Sequence, residues 1–329
     1  MESGSFSAIP RHTANQKIML RALVVSFAML AVGLGPCAAQ TKSPTTDIHK
    51  DAGSGVGDKL PTPNSNSAAG VASNEDSAAE NELLEAANKS RGLAGASPLR
   101  MDESLREAAR AHALRMVASD RLEHQLPGEP SLLERIAQVT SPDSPLHDSL
   151  KKALKVDRAG ENIAHATCAL GANEALMRSA PHRQNLLDRG FNIAGIAAIW
   201  SKGRLYVVQD FAREVPSYSG EQSRKLIARS VDDVRQQAGL PELAQLSPPN
   251  LDEAACKLAT QNRPNAHLIS TAYSNRRIIA YTESHPETLP PGALRLLRDP
   301  GVRQFAVGSC YARNAAYPTG MYWVAILLY

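Results

Sequence analysis

The sequence predicts an α+β protein of two successive halves, each a set of amphipathic helices closed by a β hairpin. Three observations predict it: apolar residues at helical spacing after residue 80, two β-patterned runs ending each half, and landmarks that recur at related offsets. In the first half Arg91-Gly92-Leu93 precedes a helical run from Leu105 (LREAARAHA). In the second, Ala238-Gly239-Leu240 precedes one from Leu251 (LDEAACKLA). Leu105 to Leu251 is an offset of 146 and Gly92 to Gly239 one of 147, so both landmarks move together. The closing runs, IAGIAAIW then LYVVQDFA against FAVGSCYA then MYWVAILLY, are offset by only 113 between Gly195 and Gly308. A smaller diverged α+β copy that has lost about 33 residues from its middle accounts for both offsets, the alternative being chance recurrence of short Leu/Glu/Ala helical patterns.

At the amino terminus Arg11, Lys17 and Arg21 precede the uncharged run Ala22–Leu34. Its length fits the ~7–15 residues of a signal-peptide core and falls short of the ~20 that span a bilayer. Cleavage is expected after Ala39, which makes 1–39 a signal peptide. Retention of the run as an anchor and lipidation at Cys37 are the alternatives, the second opposed by Pro36; Met19 offers a shorter start. Residues 40–79 are rich in Ser, Thr, Asn, Gly, Pro, Ala and Asp, too poor in large apolar groups to offset the cost of ordering, and read as a disordered linker. The remainder divides into units at 80–213 and 221–329. No later apolar run is long enough to cross a membrane, so a secreted or periplasmic location without a mature transmembrane span is expected. The net charge of +3 comes from basic residues scattered among acids. Without a continuous basic stripe, nucleic acid is excluded as a partner.

The elements follow in order. Glu80–Arg91 carries Leu83, Leu84 and Ala87 at helical spacing, with Gly92 as a stop. Asp102 caps a helix through Ser119 whose stripe is Leu105, Ala108, Ala109, His112 and Met116. Arg121–Asp157 is rich in Pro, Ser and charge and reads mostly as loop. Asn173–Arg178 offers a third helix. Ile193–Trp200 and Arg204–Ala212 read as strands around the turn Ser201-Lys202-Gly203. Arg213–Gly220 reads equally as a linker or a packed crossover.

The candidate chemistry lies between Gly160 and Ala212. Glu161, in GENIA, and His182, in SAPHRQNLL, flank a short helical segment just before the hairpin; His124 upstream completes a three-residue cluster. Two imidazoles and a carboxylate match the ligand set of an open zinc site. The same groups can instead hydrogen-bond one another and pin a loop to the sheet. No HExxH helix, nucleophile elbow or Gly-rich phosphate loop occurs. Ser179 precedes His182 but lacks an orienting acid. His112 and His165 read as packing or surface histidines, and Arg183 and Asn185 as structural groups.

The order of LLEAANKSRGL, AARAHA, an isolated His124, GENIA, SAPHRQNLL and LYVVQDFA resembles the bacterial branch of the CAP superfamily, the cysteine-rich secretory, antigen 5 and pathogenesis-related 1 proteins. The resemblance covers about Glu80 to Ala212. It implies an α-β-α sandwich around a central antiparallel sheet. It also implies a cavity lined by two histidines and acidic residues that can bind a divalent metal, zinc or magnesium. By position these are His124, Glu161 and His182, with Asn162, Ser179, Arg183 and Asn185 as structural neighbours. A second acidic residue of the animal members falls near Ser179, and Leu176 replaces a usual aromatic. Some members bind sterols or fatty acids. The resemblance thus implies an exported, non-catalytic binding or interaction module whose partner is a lipid, another apolar small molecule or an envelope component. Two rivals stay open: a metal-dependent hydrolase acting on envelope peptide or glycan, and a structural envelope protein.

Of the four cysteines, cleavage would leave Cys168, Cys256 and Cys310. Cys256 falls on a helix and Cys310 on the first closing strand of the second half, elements that should pack face to face, so a Cys256–Cys310 disulfide is expected in an oxidising compartment. Cys168 would then be unpaired and buried, or paired between molecules.

Overall fold

The computed structural model describes residues 75–141, 154–273 and 276–329. The expected signal peptide over 1–39, with Cys37, and residues 40–74 of the expected linker lie outside them. The first half runs through α1 (Ser77–Leu93), β1 (Arg100–Met101), α2 (Glu103–Ser119), α3 (Leu132–Val139), β2 (Val156–Ala166), α4 (Ala169–Arg178), α5 (Ala180–Leu187), β3 (Ile193–Ser201) and β4 (Arg204–Glu214). The second runs through α6 (Gly220–Gln237), β5 (Ala244–Leu246), α7 (Leu251–Thr260), α8 (His267–Ser270), β6 (Arg277–Glu283), α9 (Pro291–Leu297), β7 (Gln304–Ala312) and β8 (Met321–Leu328).

Side-chain caps start the helices by satisfying amides that the first turn leaves open. The Asp76 carboxylate accepts from the Ala79 amide at 2.9 Å, and Asp102 accepts from Ser104 and Leu105. Ser131 and Glu134 form a capping box that starts α3. Two expectations are corrected here. The end of the linker is ordered structure: Glu75 bridges to Ile199, and Asp76 both caps α1 and accepts from Trp200 Nε1. The stretch from Arg121 to Asp157 contains α3, whose buried stripe of Leu132, Leu133 and Ile136 spans too few turns to stand out among prolines and charges.

Both sheets are four-stranded, ordered β1-β3-β4-β2 and β5-β7-β8-β6. In each, the first pair is parallel and the other two antiparallel. The expected antiparallel sheet forms the centre of each half, and a short parallel strand, β1 or β5, joins it at one edge, too short to show a period in sequence. The β3–β4 turn places Lys202 at φ 50° and Gly203 at φ 74°, the paired left-handed residues whose twist matches a two-residue hairpin.

Helices cover both faces of each sheet. Leu83, Leu176, Leu186, Ile196, Val207 and Phe211 pack α1, α4 and α5 on one face of the first; Leu105, Ala108, Ile136, Ile193 and Ala212 pack α2 and α3 on the other. In the second half Ile227, Val231, Leu297, Val324 and Ile326 fill the α6 and α9 side, and Ala255, Leu258, Trp323 and Ala325 the α7 side. Gly195 lets α2 lie directly on the sheet, since a Cβ there would run into the Leu105 backbone. Gly308 does the same for α7 against Leu251.

Buried arginines tie each half together. Arg91 donates to the carbonyls of Ser97, Leu186, Asp188 and Phe191, and Arg235 to those of Pro241, Leu297 and Asp299. The glycines that follow these arginines in the left-handed region are Gly95 (φ 69°) and Gly239 (φ 67°). The equivalent of Gly239 is therefore Gly95, not Gly92 as the sequence spacing suggests. Cys256 and Cys310 are disulfide-bonded, joining α7 to β7 as expected. Cys168 is not unpaired: it too is disulfide-bonded. Residues after β4 form a packed crossover, with the Val215 amide bonded to Lys155 O at 2.9 Å and the Tyr218 amide to Tyr322 Oη at 2.8 Å.

Gly195→Ala should lower stability by about 1–3 kcal/mol or more, because the backbone it meets cannot rotate away. Gly203→Ala, which meets nothing but keeps a positive φ, should cost about 1 kcal/mol. Urea unfolding of both variants measures the difference. Cys256→Ser with Cys310→Ser should cost about 2–5 kcal/mol, read as early loss of the second half's hydrogen-exchange protection.

Candidate functional site

Glu161, on the edge strand β2, is the meeting point of the polar groups in the first half. Its Oε1 lies 2.8 Å from His124 Nδ1, and its Oε2 accepts from the Arg135 guanidinium of α3. His112, on the buried stripe of α2, brings Nε2 to 3.9 Å from the same carboxylate. The other nitrogen of that ring, Nδ1, is 2.9 Å from both oxygens of Glu129, which also accepts from the Leu126 amide at 3.1 Å. Directly opposite Glu161 in the β2–β4 register stands Asp210.

The helix α5 delivers His182, whose ring centroid is 6.2 Å from that of His124. Asn162 donates to the His182 carbonyl at 3.0 Å; Asn185 donates to Glu161 O at 3.0 Å and Asn162 Oδ1 at 3.2 Å. Two amides thus stitch α5 to the edge strand beside the site. The three expected residues, His124, Glu161 and His182, do come together. Ser179 caps α5 without a side-chain bond, and exposed Arg183 donates to Met177 O. His165 packs edge-on against Tyr206.

Burial dominates the electrostatics. It pushes Glu161 up to about 7, ahead of the opposing pull of Arg135, and holds Asp210 well above the usual carboxylate range, with the charge of Glu161 adding to the effect. Both Asp210 oxygens are buried without a hydrogen-bond partner among the described residues, and burial beside the Glu161 carboxylate favours the protonated acid there. His112 is pushed down to about 4 by burial and then by Arg135. Burial also lowers His124, with help from Arg135, and His182, with help from His124. The imidazoles are neutral at pH 7.

These bonds bear on a divalent metal. Both Glu161 oxygens are engaged, by His124 and Arg135, so as arranged the carboxylate does not fit as a direct ligand. Among the described residues no group of three or more His, Cys, Asp or Glu side chains is placed to hold a metal ion.

Four members of the cluster escape sequence reading: His112, Glu129, Arg135 and Asp210. His112, read as a packing or surface histidine, is fully buried and faces both acids. The available signals were its place on the apolar stripe of α2, that of Arg135 among Leu132, Leu133 and Ile136, and that of Asp210 at an inward position of a buried strand.

Residues 84–211 match the cysteine-rich secretory protein family, CAP. That stretch, residues 84–211, is the CAP domain of the first half. Structures with similar regions include an extracellular SCP-domain protein of Bacillus anthracis, 22% identical over 41% of this chain and 40% of that one, with a TM-score of 0.34. An outer surface protein of Borrelia burgdorferi is 14% identical over 43% of this chain and 98% of its own, with a TM-score of 0.36. The protein Na-ASP-1 is 8% identical over 79% of this chain and 91% of its own, with a TM-score of 0.40. The chain thus spans well under half of the Bacillus protein. No curated protein matches the sequence significantly. Among the described residues no helix is long and apolar enough to cross a membrane.

The second half supplies an internal comparison for the CAP domain. With Gly308 set on Gly195 and Leu251 on Leu105, the sheet registers place Ala280 and Ala325 where the CAP domain has Glu161 and Asp210. On the covering helix, buried Leu258 takes the place of His112. The same scaffold closes over an apolar centre.

Arg135→Ala should destabilise the CAP domain by about 1–3 kcal/mol, because it removes the donor to buried Glu161 and leaves that acid neutral among polar groups that lose a partner; urea unfolding measures it. The pH dependence has two opposing parts. Glu161 keeps its proton in the folded chain where the unfolded chain has lost it, so its contribution is full below 4.5 and declines as pH rises through about 7. Asp210 acts in the same direction. His112 loses its proton on folding, so its contribution is full above 6.5 and declines as pH falls towards about 4. His112→Gln removes only the second part. Between pH 4.5 and 6.5 the variant's unfolding free energy should therefore fall more steeply with rising pH than that of the wild type.

Proposed function

We propose that the chain is an exported, non-catalytic CAP-domain binding module in which the His124 and His182 face recognises a ligand and the second half acts as a buttress. What carries this reading is the contrast between halves. Leu258, Ala280 and Ala325 complete the same scaffold without ionisable groups, so the fold does not demand the Glu161 cluster. Burying an ion pair is commonly no more stabilising than apolar packing. A cost retained in one half alone supports a role for the groups that the cluster orients, His124 above all, which is half-buried at the sheet edge. Export is supported by the amino-terminal sequence and by the Cys256–Cys310 disulfide. The partner proposed is an envelope or extracellular component, including an apolar small molecule such as a lipid.

One observation favours a second reading, a zinc or magnesium ion between the two imidazoles. Glu161 holds Nδ1 of His124, the arrangement by which carboxylates orient imidazoles that bind metal through Nε2. In that reading Glu161 orients a ligand rather than being one. A metal there would supply Lewis acidity.

Mass spectrometry of the purified protein, for metals and lipids together, tests both. A molecule that co-purifies with the wild type and is lost from His124→Ala and His182→Ala, with unfolding midpoints unchanged, supports binding at this face. Loss of zinc or magnesium alone favours the second reading. Turnover of a peptide, ester or glycan that is lost in the same variants would replace both with a hydrolase. An identical inventory in wild type and variants would overturn the site.

A further inference from the structure

Lys155 leads into β2 of the CAP domain and is 9% exposed. Among the described residues its ammonium makes no ion pair; its partners are tyrosines of the second half. The Nζ atom stands 3.6 Å from the centroid of the Tyr311 ring and 4.8 Å from that of Tyr322, and donates to Tyr322 Oη at 3.1 Å. Burial pushes Lys155 down to about 8, so it still carries its proton at neutral pH. The ring faces supply the negative potential that a carboxylate otherwise would.

The tyrosines are held by bonds that do not involve the lysine. Tyr311 and Tyr322 are cross-strand partners on β7 and β8, edge to face with centroids 4.9 Å apart. The Tyr311 hydroxyl donates to Thr319 O at 2.8 Å, and Gly320 (φ 96°) leaves room for its ring, since a Cβ would run into it. Tyr322 Oη also accepts the Tyr218 amide of the crossover. A second cation works in the other direction: Arg313 donates to the carbonyls of Ala137 and Thr140 at the end of α3.

We propose that Tyr311 and Tyr322 form an ammonium-binding cage in the second half, filled in cis by Lys155, and that this occupancy latches the second half onto the CAP domain. Because its walls stand without the lysine, the cage accepts a primary alkylammonium from solution once Lys155 is truncated.

Hydrogen exchange at the Tyr218 amide in the full-length protein tests the latch. Lys155→Ala should speed exchange about tenfold, and n-propylammonium chloride should restore most of the protection where equal sodium chloride does not. Lys155→Met fills the space without a charge and should exchange fast with no recovery. Arg313→Ala, which leaves the cage occupied, should not respond to n-propylammonium. Should Lys155→Ala fail to fold, Tyr311→Leu removes the nearest ring face and should speed exchange likewise. Wild-type exchange in Lys155→Met or Tyr311→Leu, or recovery no greater with n-propylammonium than with sodium chloride, overturns the proposal.

Discussion

The CAP domain is organised around one buried contact, the Arg135 guanidinium on the Glu161 carboxylate. Glu161 lies on an edge strand, where neither water nor an inner strand neutralises its charge, so burial alone would keep it protonated. Arg135 reaches it from a short helix that exists because Ser131 and Glu134 cap one another. With that cation in place, Glu161 can accept from His124, and Glu129 can hold His112 behind them. The loop carrying His124, the helix α3 and the strand β2 are thereby fixed as a unit.

The second half shows what the scaffold is without that contact. It keeps the sheet order, the glycine beneath the covering helix and the arginine that gathers carbonyls at the helix ends. Small apolar residues replace the acids and Leu258 replaces the histidine; a disulfide between α7 and β7 crosses the layer on that face. Apolar closure costs no desolvation of charge, which is the physical reason the second half can do without the polar network. Where the two halves meet, cations are again placed against aromatic faces and carbonyls rather than carboxylates.

Much of this was legible in the residues. The hairpin at Ser201-Lys202-Gly203, the helices from Glu80 and Asp102, and the meeting of His124, Glu161 and His182 all followed from period, turn chemistry and motif order. The helix α3 was not legible, because eight residues cover barely two turns and the capping box is easily lost among Ser, Pro and Glu. Nor were β1 and β5, which have too few residues to alternate. Arg135 and Asp210 were hidden for another reason: a single charge on an apolar stripe looks the same whether it meets a buried partner or turns to solvent. The linker reading failed at Asp76 because one carboxylate there both caps α1 and binds Trp200, a side chain 124 residues away.

By itself the sequence determined the α+β class, the two-part order, the closing hairpins and the Cys256–Cys310 pairing. These rest on spacings of a few residues or on which faces must be apolar, and such constraints act along the chain. Only the tertiary structure decided which ionisable groups meet: Arg135 with Glu161 across 26 residues, His124 with Glu161 across 37, and Lys155 with Tyr322 across 167. Their protonation states follow from that decision, because the desolvation that raises Glu161 and lowers His112 exists only after the layers have closed over them.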